Sequence, residues 1–237
     1  MMTSLLRLLR PLVLASLLTP AFAQNPAAPS PTASAAAEAR AKSQAATDQR
    51  AAAWVAALKL GDPAREDRVQ AIIATHLKAV RDWNNDHPAS TVPAGINPTT
   101  GKPLSELDRQ VIANSALPKS VHEALMTGLR RELTEPQVEA VLDSYTVGKV
   151  AFTLTGYHAV VPDLTPAEET TILGLLKQAR EQAVDYKSMQ QISAIFKIYK
   201  TKAEQYLNDN GRNWHQLFKA YVDDVQAKKK VDALAEH

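Results

Sequence analysis

The chain has 237 residues, 27 basic and 25 acidic side chains, and a hydrophobic fraction of 45%. That is enough for one domain with a substantial core and leaves little room for two. It has no cysteine, which excludes a disulfide scaffold, a cysteine-ligated zinc or iron–sulfur site, a thiol nucleophile and a lipidated N-terminal cysteine.

In chain order, the first expectation is an export signal over residues 1–23. Arg7 and Arg10 precede the apolar run Leu12–Leu18, and Ala21-Phe22-Ala23 places small residues where signal peptidase reads them. The apolar run is too short to span a bilayer. The expected product is therefore exported, periplasmic or extracellular, and has no transmembrane segment. Loss of Arg7 and Arg10 would leave 25 charges of each sign. A neutral chain argues against nucleic acid as a partner, because phosphate-backbone binding needs clustered positive charge.

Residues 24–48 read as an Ala/Pro-rich tether, partly helical toward its end, and 49–237 as a single helical domain. Trp54, Val55 and Leu58 fall at helical spacing. Leu60-Gly61-Asp62-Pro63 reads as a stop and restart, with Gly at C′, Asp as N-cap and Pro at N1. The next helix is expected over 63–86, with Val69, Ile72, Ile73, Leu77, Val80 and Trp83 on one stripe. His76 sits in that stripe, where a lone histidine reads first as a hydrogen-bonded core residue and second as a ligand. Arg81-Asp82-Trp83-Asn84 reads either as a saccharide platform or as core beside a surface ion pair. The place of Trp83 on the stripe favours core.

Residues 88–103 form a loop with four prolines and two glycines. Helices are expected over 104–114 and 118–131. Another opens with Leu133-Thr134-Glu135-Pro136-Gln137. The LTxxQ string is also the signature of small periplasmic chaperones of the Spy type. Helix physics alone produces it: Thr134 at N-cap, Gln137 at N3, and Leu133 and Val138 as a hydrophobic staple. Val150, Phe152 and Leu154 then alternate with Ala151, Thr153 and Thr155, a period of two that predicts an extended segment around 149–155. Lys149, Tyr157 and His158 are its functional-type residues. Three long helices close the chain. They open at Thr165-Pro166-Ala167-Glu168, near Ser188, and at Trp214. Lys228-Lys229-Lys230 reads as a solvated helix end. The predicted fold is all-α, an irregular multi-helix bundle.

No G-x-S-x-G, P-loop, G-x-G-x-x-G or H-E-x-x-H occurs. Neither cofactor nor metal is expected, and the balance leans away from an enzyme. Candidate ligand-binding residues are His76, Arg81, Trp83, Lys149, Tyr157 and His158.

Residues Trp54 to Trp214 resemble a secreted bacterial family of unknown function, often encoded near genes for polysaccharide degradation. The strings that carry the resemblance include Arg81-Asp82-Trp83, Tyr145-Thr146-Val147-Gly148-Lys149-Val150, Val161-Pro162-Asp163-Leu164-Thr165, Ala179-Arg180-Glu181-Gln182-Ala183 and Phe196-Lys197-Ile198-Tyr199-Lys200. The resemblance implies an exported helical domain linked to plant-type polysaccharide use. Three functions are then open. The first is a non-catalytic accessory or carbohydrate-binding protein, with a polysaccharide, an oligosaccharide or another exported protein as partner. The second is a periplasmic holdase. The third is a carbohydrate-active lyase or hydrolase using Arg81, Lys149, Tyr157 and His158.

Overall fold

The computed structural model describes residues 31–98 and 100–235. The expected export signal and the first part of the tether lie outside the described residues. Nine α-helices occur among those described: α1 (Pro31–Leu58), α2 (Pro63–Asp86), α3 (Glu106–Ser115), α4 (Lys119–Glu132), α5 (Glu135–Thr146), α6 (Lys149–Val160), α7 (Pro166–Ala183), α8 (Met189–Asp209) and α9 (Trp214–Ala235). The all-α expectation holds. Residues 31–40 form a unit apart from the body that begins at Ala41. The side chains of residues 34–40 are exposed.

The helix starts obey local chemistry. Asp62 caps α2 by accepting from the Arg65 N–H at 3.2 Å, with Pro63 following it. Ser105, Thr165 and Ser188 form reciprocal capping boxes with Asp108, Glu168 and Gln191. At α5, the Thr134 backbone N–H and hydroxyl both donate to Gln137 Oε1 at 3.1 Å. Leu133 and Val138 are buried in the same cluster. The LTxxQ residues are thus engaged in starting a helix.

The extended segment expected around 149–155 is helical. Burial there follows a helical period: Val150, Tyr157, Val160 and Val161 are buried, while Phe152 is 79% exposed. Residues four and seven apart share a helix face, so Val150 and Tyr157 enter the core together. Packing overrides the strand preference of the Val, Phe and Thr residues. The backbone groups of the segment are satisfied within α6, so it needs no pairing with the 88–103 loop. That loop closes on itself instead, through an Ile96–Pro103 bridge and a Leu104 N–H to Gly95 carbonyl bond of 2.8 Å.

The core has two parts. One gathers Val55 of α1, Ile73 of α2, Leu125 and Leu129 of α4, and Val138, Val141 and Tyr145 of α5. The other gathers Val150 and Tyr157 of α6, Ile172 and Leu176 of α7, and Ile192, Ile195 and Phe196 of α8. Each fully buried aliphatic side chain contributes about 1.5–3 kcal/mol. The five-residue connection between α7 and α8 touches both parts. Val184 belongs to the first cluster and Tyr186 to the second. Asp185 lies between them in sequence.

Candidate functional site

That connection carries the least generic chemistry of the molecule. Asp185 Oδ1 lies 3.0 Å from His76 Nε2, and Asp185 Oδ2 lies 2.9 Å from His122 Nδ1. His76 Nδ1 lies 3.1 Å from the Tyr145 hydroxyl. A carboxylate only accepts, so His76 donates from Nε2 and its Nδ1 accepts from the Tyr145 hydroxyl when the ring is neutral. The result is a continuous polar seam, Tyr145–His76–Asp185–His122, that joins α5, α2, the α7–α8 connection and α4.

The seam's electrostatics follow from its geometry. Burial pushes the Asp185 carboxyl up, but hydrogen bonds from His122 and His76 outweigh it and hold the group below the usual carboxylate range. The hydrogen bond to Asp185 raises His122 above the ordinary histidine value against the opposing effect of burial. Burial, with the Asp185 charge adding to it, raises Tyr145 well above the usual phenol range. Tyr145 therefore keeps its proton.

Two clefts meet this seam at opposite ends, and a third, more apolar one of about 440 Å³ touches it at His76. The first, of about 530 Å³, is lined by His122 and Asp185 with Asn114, Gln178, Glu181 and Tyr199. His122 Nε2 lies 3.6 Å from Glu181 Oε1 there. The second, of about 600 Å³, is lined by Tyr145 with Trp54, Arg50, Arg81, Asn85 and Lys187. It is built by α1, α2, α5 and the start of α8. Trp54 packs against Tyr145 with ring centroids 4.7 Å apart. Arg81 pairs with Asp82 at 2.8 Å and reaches Ser43 Oγ at 3.4 Å. Lys187 Nζ donates to Asn85 Oδ1 at 2.7 Å.

The six candidate residues do not form one site. His76 is 3% exposed and both ring nitrogens are engaged, as expected of a core histidine. Arg81 lines the second cleft. Trp83 donates its indole N–H to the Ala113 carbonyl at 3.1 Å and stacks on His87 at 3.7 Å, so its ring face and polar edge are both occupied. Lys149 lies over the Phe196 ring at 5.8 Å. Tyr157 is buried and donates to the Lys200 carbonyl at 3.2 Å. His158 lies 3.7 Å from Glu169 on α7. Lys149, Tyr157 and His158 line none of these clefts.

Sequence reasoning passed over His122, although the signal that singled out His76 is present there too. His122 stands three and four residues before Leu125 and Met126, which are buried on α4, so it is another histidine on an apolar helix face. Asp185, Arg50 and Lys187 carry no local signal. Their role depends on which helices meet.

Fold and site together define the class: an all-α protein of many helices, with a histidine–carboxylate seam through its core and a cleft lined by cationic and aromatic side chains. A family model described as "Protein of unknown function (DUF3826)" matches residues 44–227, and the chain belongs to that family. No curated protein matches the chain. Among the described residues, no helix is long and apolar enough to cross a membrane.

Proposed function

We propose that this is an exported, non-catalytic carbohydrate-binding accessory of polysaccharide processing, which holds its saccharide in the α1–α2–α5–α8 cleft. One observation carries the reading. Trp54 and Tyr145 line a cleft of about 600 Å³ together with the polar groups of Ser43, Asn85, Arg81 and Lys187. An aromatic surface beside convergent hydrogen-bonding groups, in a cleft of this volume, suits one or two sugar rings. No carboxylate occurs among the described residues that line it. Glycoside hydrolysis uses a pair of carboxyl groups, so this cleft favours binding over cleavage.

The test is incubation of the protein with a panel of plant polysaccharides and their oligosaccharides, reading thermal shift and products by mass spectrometry in the same wells. Stabilisation without new products is expected, and it should disappear in Arg50→Ala and Asn85→Ala, both at exposed positions. New products would overturn the non-catalytic reading. No stabilisation by any glycan would overturn the carbohydrate reading.

A further inference from the structure

We infer that the ligand of this cleft is an acidic saccharide, held by a uronate carboxylate among Arg50, Arg81 and Lys187; the inference rests on the saccharide-binding reading above. The cleft gathers charge of one sign: among the described residues, three cationic side chains line it and no carboxylate does. Arg81 pairs with Asp82, whose side chain is 57% exposed, and also feels the charge of Asp48, which is itself paired with Lys78 at 2.9 Å. Lys187 is satisfied by the neutral amide oxygen of Asn85. Arg50 has no ion pair or side-chain hydrogen bond among the described residues. Two arginines packed into the fold elsewhere are answered by carboxylates. Arg180 meets Asp143 at 2.7 Å and Glu139 at 3.5 Å. Arg212 meets Glu168 at 2.7 Å and Asp163 at 2.9 Å. The cleft departs from that pattern.

Gathered positive charge in a concave, partly enclosed surface raises the local concentration of anions and strengthens charge-assisted hydrogen bonds. A guanidinium presents paired donors that match a planar carboxylate, and an ammonium adds a point charge. Trp54, tilted 53° to the Tyr145 ring, supplies the apolar face on which a sugar ring lies. The combination is what a uronate needs: a carboxylate on one edge of the ring and carbon-bound hydrogens on its face.

The deciding measurement is calorimetric titration of the protein with trimers of galacturonate, glucuronate and mannuronate, each against its neutral methyl ester, with neutral hexose trimers alongside. At least one acid should bind about tenfold or more tightly than its own ester. Its affinity should fall as salt rises from 50 to 500 mM. Arg50→Gln and Lys187→Gln, both at exposed positions, should weaken the acid severalfold while leaving the melting temperature of the free protein unchanged. Equal binding of acid and ester would overturn the uronate inference and leave the saccharide reading standing. Binding of the neutral trimers alone would do the same. Failure of every glycan would overturn both. Displacement of the acid by inorganic sulfate at equal concentration would show a site that reads charge without regard to the carboxylate, and would also overturn the inference.

Discussion

His122 Nδ1 and His76 Nε2 meet the two different oxygens of one carboxylate, at 2.9 and 3.0 Å, so Asp185 is shared between α4 and α2. The pH dependence of this junction follows from its shifts. His122 titrates higher folded than unfolded, so its contribution is fully present below the ordinary histidine value of about 6.5 and is lost as pH rises through the folded value. Asp185 titrates lower folded than unfolded, so its contribution is present above about 3.8 and is lost as pH falls through the folded value. The seam is therefore strongest between about pH 4 and 6.5. Melting temperature measured across pH 3 to 9 should show an alkaline decline that is flattened in His122→Gln. An unchanged alkaline limb in that variant would remove His122 from the account.

At Gly128, α4 lies close against Ile72 of α2. A Cβ there would lie 3.1 Å from three side-chain carbons of Ile72. Gly128→Val should cost about 1–3 kcal/mol by overpacking. Pairing it with Ile72→Ala should recover part of the loss, and a denaturant double-mutant cycle would detect the coupling. Strict additivity of the two changes would refute the contact.

Val147 stands at φ 54, ψ 47, just before Gly148 at φ 65, and together they turn the chain from α5 into α6. A β-branched residue is disfavoured in this region by roughly 1–2 kcal/mol, and Val147 is 73% exposed, so it offers little burial in return. Val147→Asn should raise the midpoint of denaturant unfolding by an amount worth about 1 kcal/mol. A lowered midpoint would mean that the valine side chain packs usefully.

Tyr157 and Trp83 belong to the packing. Tyr157→Phe should cost about 1 kcal/mol for its bond to the Lys200 carbonyl, and Tyr157→Ala about 3–5 kcal/mol. Trp83→Ala should also destabilise, losing its bond to the Ala113 carbonyl and its stack on His87. Chemical denaturation would read all three. Full stability of Tyr157→Ala would return the residue to the list of site candidates.

Glu168 receives two donors from Arg212, at 2.7 and 2.8 Å, while also closing the capping box of α7 with Thr165. The Arg212 guanidinium, helped by the Thr165 backbone N–H and hydroxyl, pulls its carboxyl down to about 2. Its contribution is present above about 4.5 and is lost as pH falls toward 2. Glu168→Gln should therefore destabilise at pH 6 and have little effect at pH 2. An equal effect at both pH values would contradict the ionic account.

Much of this fold was legible because helix starts and apolar stripes are local. Asp62-Pro63, Thr165-Glu168 and Ser188 mark real helix starts. The stripe Ile172, Leu176, Ala179, Ala183 is buried throughout. In α8 the apolar period is looser: Met189 is 44% exposed, and Leu207 is buried beside half-buried Tyr206. α6 misled because Val, Phe and Thr alternate along it, and a short apolar run supports either period until its neighbours are known. The cleft was hidden for a different reason. Arg50 on α1 and Lys187 in the α7–α8 connection are exposed charges, alike in sequence to any solvated residue. Only the meeting of α1, α2 and α8 gives them common work.

α9 is fastened at its base. Trp214 lies against Tyr157 with ring centroids 5.2 Å apart, and Arg212 clasps Glu168 just before the helix begins. Among the described side chains, Val225 is the last half-buried one, and 226–231 are exposed. The family match stops at 227, two residues beyond that last contact. The stretch 226–231 is thus a handle. A label or surface anchor attached to its exposed side chains would leave the core, the seam and the cleft untouched, which makes it the natural point for immobilising the protein in binding measurements.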